Sequence, residues 1–169
     1  VESSAQIAKL LCELPNGLQA LSRDFENLPE TSLNLGILYI ENDSIHASFA
    51  VRSAIGEKKK ALLSEIYNIA KSFGADYSDY GHYPAWEYRE NSPLRDTFVK
   101  VWQDMYGKKP IVRATHGGLE CGLFSDKIKG LDAISIGPDM YDIHTPRERL
   151  SISSAKRVYE FLCAVLKEL

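Results

Sequence analysis

The chain has 169 residues, of which 44% are hydrophobic and 25% are charged, and its formal net charge is −3. This composition is that of an ordinary globular protein, so it predicts a buried core and excludes extensive disorder. The sequence has no basic stripe for nucleic acid, no polybasic segment for anionic lipid, and no apolar run of about 18 residues for a membrane span. We therefore expect a soluble protein without a nucleic acid or membrane partner.

The cysteines indicate the redox compartment of the protein, and the first residue bears on whether the chain is part of a longer one. Cys12, Cys121 and Cys163 are odd in number and far apart. Such spacing is poor for a disulfide framework and ordinary for reduced thiols, so we expect a cytoplasmic protein. The chain begins with Val1 rather than Met, which is compatible with a segment cut from a longer protein.

The first half begins with a helix and continues into a hairpin. Apolar residues at helical spacing predict a helix over residues 2–13, whereas residues 17–30 have no clear period and are interpreted as a loop. From Ser32 the apolar residues recur at every second position, which predicts a β-hairpin. They are Leu33, Leu35, Ile37 and Tyr39 on the first strand, and Ile45, Ala47, Phe49 and Val51 on the second.

The alternation of apolar residues also predicts how the two strands of the hairpin pair. If the apolar residues of both strands lie on the same face of the sheet, a two-residue loop is excluded and a three-residue loop at residues 42–44 is favoured. Asn34 then lies directly opposite Arg52, on the face away from the core. An amphipathic helix over residues 56–73 and a third strand over 75–83 complete a small α+β domain, whose second sheet face is uncovered.

The second half alternates helices with short apolar strands. Ser92 and Pro93 predict the start of a helix that ends before Gly107. Further patterns predict strands at 110–114 and 133–136, a short helix at 118–124 and a last helix at 153–169. This alternation indicates a mixed or parallel α/β sheet, and two strands are too few to form one independently. We therefore interpret the second half as the end of a larger α/β domain.

The tract His116-Gly117-Gly118-Leu119-Glu120-Cys121-Gly122 is a candidate site. Its glycines let the backbone approach a ligand, and amides at a helix start are donors to an anion. The same glycines could simply form a strand-to-helix turn. Cys121 as a nucleophile activated by His116 or His144 is a further alternative.

Two other regions, around His144 and around Arg52, could carry chemistry. His144 follows an apolar run on a loop, which suits a metal ligand or a general base, and it could equally be an ordinary loop histidine. Glu148 could orient His144 or favour the start of the last helix. Arg52 can bind a carboxylate bidentately with Asn34 beside it, although a solvated sheet face is the alternative.

Five motifs occur in a particular order, at residues 31–36, 49–53, 116–124, 135–138 and 144–148. Together they resemble the C-terminal part of the aminoacyl-histidine dipeptidases, which are Xaa-His dipeptidases of the zinc aminoacylase and carboxypeptidase superfamily. The resemblance implies two co-catalytic divalent metal ions, expected to be zinc, and a catalytic α/β domain interrupted by a lid domain. Residues 1–88 would end the lid, and residues 89–169 would be the C-terminal part of the catalytic domain.

The resemblance also implies roles for single residues. His144 falls on the last metal ligand, and Asn34 and Arg52 fall on lid positions that hold the substrate's carbonyl region and C-terminal carboxylate. The substrate-lining positions are His116, Gly117, Gly118, Glu120 and Gly137. Because lid sheets of this superfamily commonly pair subunits, a homo-oligomer through the lid sheet is a further expectation.

Part of the family's active site has no counterpart in this sequence. The other metal ligands, the bridging aspartate and the general-base glutamate of the family have no counterpart here, so no catalytic residue is predicted in the chain. We expect the C-terminal portion of a cytoplasmic dipeptidase that hydrolyses Xaa-His dipeptides with a two-metal activated water, and we expect the isolated chain to be inactive. The alternative is a non-catalytic module that binds a carboxylate ligand or a partner protein.

Overall fold

The computed structural model describes residues 2–169, which divide into two compact units. The first unit runs up to Tyr88 and also contains Arg113–Lys127, and the second unit consists of Arg89–Val112 and Ile128–Leu169. The predicted mixed α/β class is confirmed. The assignment of residues 1–88 to a lid and 89–169 to a catalytic domain stays a prediction.

The five helices lie close to the predicted positions. In chain order the elements are α1 (Glu2–Glu13), β1 (Gly17–Leu21), β2 (Pro29–Glu41), β3 (Ser44–Ser53), α2 (Gly56–Ser72), α3 (Pro93–Tyr106), α4 (Glu120–Lys127), β4 (Met140–Tyr141), β5 (Arg149–Leu150) and α5 (Ile152–Val165).

The first unit is an antiparallel sheet in the order β1, β2, β3, with helices packed on one face. Leu33 of β2 is 1% exposed and packs with Leu14, Leu62 and Ile66. Full burial of one leucine side chain contributes about 1.5–3 kcal/mol. This cluster therefore fixes which face of the sheet points inward.

The hairpin turn differs from the predicted one. β2 and β3 are joined by a two-residue turn at Asn42 and Asp43, whose φ values are +48° and +60°. Positive φ at both central residues is what a type I′ hairpin turn requires. A register shift between Leu35 and Ile37 leaves Gly36 unpaired, which is a β-bulge. The bulge reverses the parity beyond it, so the argument that excluded a two-residue turn is wrong.

The bulge also changes which residues are neighbours. Arg52 pairs with Ser32, and Asn34 pairs with Ala50, so the predicted Asn34–Arg52 pairing is wrong. Since the parity changes at Gly36, Ile37 does not share the core face with Leu33, contrary to prediction. Ile37 is 58% exposed.

Two further predictions in this unit are wrong, one of a strand and one of a loop. Residues 75–83 form no strand, and the third strand is β1, within the stretch interpreted as a loop. Tyr77 instead packs its ring against the core and against Tyr67, at 5.5 Å between ring centroids. An aromatic side chain can therefore be held by packing without its backbone joining the sheet.

The second unit is built on α3 and α5. Val101, Phe161 and Val165 form its buried core, and the rings of Phe98 and Trp102 meet Phe161 edge-on at 5.6 and 5.2 Å. Such aromatic pairs add about 0.5–1.5 kcal/mol beyond burial of their area. As predicted, Ser92 caps α3, Pro93 opens it, and a left-handed Gly107 ends it.

The predicted strands at 110–114 and 133–136 are absent as hydrogen-bonded strands. A strand needs a neighbour to satisfy its backbone groups, and neither segment pairs with another strand within residues 2–169. The sheet of this unit is instead the short antiparallel ribbon of β4 and β5. Across the described residues, no helix is both long enough and apolar enough to cross a membrane.

A polar cluster around Asp132 holds the start of α3. Its carboxylate accepts hydrogen bonds from Ser92 Oγ at 2.7 Å and from the Leu94 backbone N–H at 3.0 Å. Burial opposes ionisation of Asp132, yet these hydrogen bonds and the positive charges of Arg89 and Arg95 lower its pKa overall. Asp132, which lies 40 residues further along the chain, therefore supports the Ser92 cap at the start of α3.

We expect Asp43→Val to destabilise the first unit by about 1–2 kcal/mol, because a β-branched residue is strained at positive φ. Asp43→Gly is the matched control and should be at least as stable as the parent, since glycine adopts this conformation without strain. Urea unfolding followed by Trp86 fluorescence in a Trp102→Phe background measures both. Equal stability of the two variants would contradict the observed turn.

We expect Asp132→Asn to destabilise the second unit by about 1 kcal/mol near pH 7, because the amide cannot accept both hydrogen bonds. The lowered pKa means that Asp132 stabilises the folded unit above its unfolded pKa, and this contribution is lost as the pH falls through the folded value. The difference between parent and variant should therefore shrink in acid.

The measurement is urea unfolding followed by Trp102 fluorescence in a Trp86→Phe background, at about pH 7 and about pH 3. Asp104→Asn is the control, because Asp104 is an exposed carboxylate on α3. A difference between the parent and Asp132→Asn that is the same at both pH values would rule out the proposed ionic role.

Candidate functional site

Ser32, Asn34 and Arg52 share the face of the sheet opposite the hydrophobic core. Ser32 pairs with Arg52 across β2 and β3, and Asn34 pairs with Ala50. Directly paired residues point to the same side of a sheet, and diagonal neighbours on that side lie about 7–8 Å apart. Asn34 and Arg52 are therefore diagonal neighbours, close enough to contact one ligand together.

The side chains of Asn34 and Arg52 are both exposed. Among the contacts of residues 2–169, neither makes a side-chain hydrogen bond, and Arg52 makes no ion pair. A guanidinium without a carboxylate partner is a ready bidentate receptor for a carboxylate ligand. The predicted uncovered face thus presents a free cation and a free amide.

His116 reaches the same face of the sheet. Its Nε2 lies 3.0 Å from Ser32 Oγ, in a hydrogen bond that joins residues 84 positions apart in the chain. The fold therefore brings together three residues predicted from sequence, Asn34, Arg52 and His116, and adds Ser32. The sequence analysis missed Ser32, although its parity with Asn34 within β2 already places the two on one face.

The surroundings of His116 disfavour the imidazolium form. Burial is the larger cause and the Arg52 guanidinium the smaller, and together they lower the pKa of His116 below its ordinary value. A neutral imidazole carries one N–H donor and one acceptor nitrogen. His116 is therefore equipped for hydrogen bonding beside the charge of Arg52.

The glycine tract packs closely on the chain segment before Arg89. A methyl group at Gly118 would come within 2.5–3.0 Å of three ring carbons of Tyr83, so a side chain there would force the ring to move. A methyl group at Gly122 would lie 3.0 Å from the Pro84 carbonyl oxygen. Close approach thus accounts for these glycines within the first unit, and a substrate-lining role for the tract stays a prediction.

The remaining predicted positions of the tract are less constrained. The backbone N–H of Gly117 donates to Thr115 Oγ1 at 3.1 Å, and Glu120 is exposed in the first turn of α4. In the second unit, Gly137 has open space where a side chain would begin. Cys121 is partly buried, and the hydrogen bond of His116 goes to Ser32 rather than to this thiol. The structure therefore gives no support to Cys121 as an activated nucleophile.

His144 lies at the tip of the ribbon formed by β4 and β5. Its φ of +65° is left-handed, which is uncommon for residues other than glycine. The backbone N–H of His144 donates to Glu148 Oε2 at 2.9 Å, and Arg149 pairs with the Asp142 carboxylate at 2.6 Å. These two interactions hold the loop in place, and the side chain of His144 is exposed. Glu148 contacts the main chain of His144.

The family model described as Peptidase family M20/M25/M40 matches residues 7–168. The chain belongs to this peptidase family. Among curated proteins, it is similar to the "Cytosol non-specific dipeptidase" of Escherichia coli (strain K12), with 32% identity over 161 residues that cover 95% of this chain and 33% of that protein. The dipeptidase resemblance found in the motifs is confirmed.

Solved structures agree with this assignment. The aminoacylhistidine dipeptidase from Vibrio alginolyticus superimposes with a TM-score of 0.86 at 28% identity, over 98% of this chain and 34% of that one. Aminopeptidase PepT from Bacillus cereus ATCC 10987 gives a TM-score of 0.75 over 98% of this chain and 44% of that one, and at 19% identity it shows the fold alone. This M20-family chain spans about a third of the length of the dipeptidases it matches.

A two-metal centre does not fit the residues of this M20-family chain alone. Within residues 2–169, no group of three or more His, Cys, Asp or Glu side chains is placed to hold a metal ion. A catalytic zinc site usually takes three protein ligands. The described residues therefore form no complete metal centre, and the role of His144 as a metal ligand stays a prediction.

We expect Arg52→Ala to raise the pKa of His116 without restoring its ordinary value, because burial is the larger cause of the lowering. The sign follows from linkage: a lowered pKa makes protonation of His116 oppose folding, so the folded chain gains stability as the pH rises through the ordinary histidine range. Titration of the ring-proton NMR signals checks this, with assignment from His116→Gln. Arg52→Lys keeps the charge and should retain most of the lowering, whereas an unchanged pKa in Arg52→Ala would contradict the assigned proximity.

Proposed function

We propose that this chain supplies the carboxylate-binding part and one metal ligand of a cytoplasmic, metal-dependent dipeptidase that acts on Xaa-His dipeptides. The observation that carries the proposal is the exposed sheet face on which Arg52, Asn34 and His116 lie together. A dipeptide offers a free carboxylate close to its scissile carbonyl, so a cation and an amide on one face match its two polar groups. The dipeptidase names of the relatives support the same substrate class.

Each side chain has a separate task in this proposal. The Arg52 guanidinium binds the C-terminal carboxylate with two parallel hydrogen bonds, which fixes the direction of the peptide. The Asn34 side-chain amide, two residues along β2 from the partner of Arg52, donates to the carbonyl region of the substrate. His116 lines the same site as an uncharged hydrogen-bonding group. Holding the substrate in one orientation is itself a large part of catalysis, because it replaces a chance encounter by a fixed geometry.

The bond-breaking chemistry needs groups that this chain does not supply. In the proposed enzyme, two bound divalent metal ions, with zinc expected, would activate a water molecule and polarise the scissile carbonyl. His144 would be one ligand from this chain. The isolated chain should therefore bind carboxylate ligands weakly and show no hydrolysis.

We also propose that subunits pair through the lid sheet. Among the described residues β3 is an edge strand of this sheet, and Ile37 and Ile40 of β2 are exposed near the turn.

We expect Arg52→Ala, in the longer protein that contains this chain, to lower kcat/KM for free-acid dipeptides by about 10- to 100-fold, since a hydrogen-bonded ion pair contributes about 1.5–3 kcal/mol. C-terminally amidated dipeptides should lose far less. Arg52→Lys is the control that keeps the charge and loses the bidentate geometry. Its kcat/KM for free-acid dipeptides should lie between those of the parent and Arg52→Ala. Equal losses on free-acid and amidated substrates would remove the carboxylate role.

We expect His144→Ala, in the same longer protein, to lower the metal content by one ion per chain and to reduce turnover by more than about 100-fold, because each first-sphere ligand is needed to hold the ion. Elemental analysis of the purified variant gives the metal count. His46→Ala is the control, since His46 is an exposed histidine stacked on Tyr39 at 4.7 Å in the hairpin. Full metal content in His144→Ala would show that His144 is not a metal ligand.

A further inference from the structure

The ring of His116 has one nitrogen engaged and one left over. Nε2 is hydrogen bonded to Ser32 Oγ at 3.0 Å, and within residues 2–169 the ring makes no second hydrogen bond. In a neutral imidazole, one nitrogen carries the proton and the other accepts. The role that Nε2 plays toward Ser32 therefore decides whether Nδ1 is a donor or an acceptor.

Ser32 stands between His116 and Arg52. It pairs directly with Arg52 across the hairpin, and directly paired Cβ atoms are about 4.5–5.5 Å apart. The hydroxyl of Ser32 has no other hydrogen bond among the described residues. Ser32 is thus the group through which the sheet holds the imidazole beside the guanidinium.

Electrostatics separates the two tautomers. If the second ring nitrogen, Nδ1, faces an anion bound by Arg52, that anion meets either an N–H or a lone pair. An Nδ1–H donor attracts the carboxylate, whereas an Nδ1 lone pair repels it and leaves a desolvated oxygen without a partner. The serine hydroxyl can donate or accept, so it permits the favourable arrangement.

We propose that Ser32 is a positioning residue whose hydroxyl donates to Nε2 of His116, which holds His116 as the neutral Nδ1–H tautomer and gives the carboxylate at Arg52 a second donor. This inference rests on the proposed function, because it takes the carboxylate as the ligand of this face. In this proposal two donors bind the carboxylate, the charged guanidinium of Arg52 and the uncharged Nδ1–H of His116. The lowered pKa of His116 agrees with it, since a charged ring would have two donors and no tautomer to select.

The experiment reads the tautomer directly. Ring-nitrogen NMR shifts of the 15N-labelled chain, measured at about pH 8, distinguish Nδ1–H from Nε2–H because protonated and unprotonated nitrogens resonate far apart. His116→Gln assigns the signals among the four histidines. We compare the parent with Ser32→Ala, which removes the hydroxyl, and Ser32→Thr, which keeps it on a residue well suited to a strand.

The expected result is a dominant Nδ1–H signal for His116 in the parent and in Ser32→Thr, and a severalfold loss of that form in Ser32→Ala. A parent signal from Nε2–H would overturn the proposal without any variant, as would an unchanged tautomer in Ser32→Ala. If Ser32→Ala does not fold, the parent tautomer still decides. In the longer protein, Ser32→Ala should raise KM for a free-acid dipeptide such as glycyl-histidine severalfold while kcat changes less than twofold, and an unchanged KM would contradict the role.

Failure of this inference can be told apart from failure of the proposed function. The tautomer is measured without substrate, so it stands or falls independently of dipeptide hydrolysis. Arg52→Ala with equal losses on free-acid and amidated substrates would overturn the proposed function even if the tautomer is as expected. A wrong tautomer with an intact Arg52 preference would overturn this inference alone.

Discussion

The register of β2 against β3 is the constraint on which the polar sheet face depends. The buried Leu33 fixes the inward face, and the single unpaired residue Gly36 allows a two-residue turn while keeping Leu33 inward. The same register sets Ser32 against Arg52 on the outward face. A shift by one residue would move every side chain to the other face and bury the guanidinium in the core. Hydrophobic burial therefore determines the position of the residues proposed to bind substrate.

The tract around His116 depends on a second constraint, which is close backbone packing. Gly118 meets the ring of Tyr83, and the carbonyl oxygen of Tyr83 accepts a hydrogen bond from Lys59 Nζ at 2.7 Å. Further along, Gly56 donates its N–H to Glu87 Oε1 at 3.0 Å at the start of α2. The irregular segment before Arg89 is thus tied to α2, and the tract rests on it. This arrangement lets His116 reach Ser32 although the two are distant in the chain.

His144 is organised differently, by a loop that braces itself. The ion pair of Arg149 with Asp142 and the bond from the His144 N–H to Glu148 hold a left-handed residue at the tip of a two-residue ribbon. Backbone strain of this kind costs about 1–3 kcal/mol and persists where the surroundings enforce it. The strain agrees with a functional position. This M20-family chain spans about a third of the length of its dipeptidase relatives, and metal binding by the exposed His144 belongs to the proposed function.

The sequence by itself determined the local features and the family. Apolar spacing located the helices, and Ser92, Pro93 and Gly107 marked the ends of α3. The ordered motifs indicated the dipeptidase resemblance. Each of these signals lies within a few neighbouring residues of the sequence. The tertiary structure decided the bulge at Gly36, the pairing of β1, the absence of strands at 110–114 and 133–136, and the bond from Ser32 to His116. Each of these depends on which distant segment supplies a hydrogen-bond partner. The residues next to a group in the sequence do not specify where that partner lies.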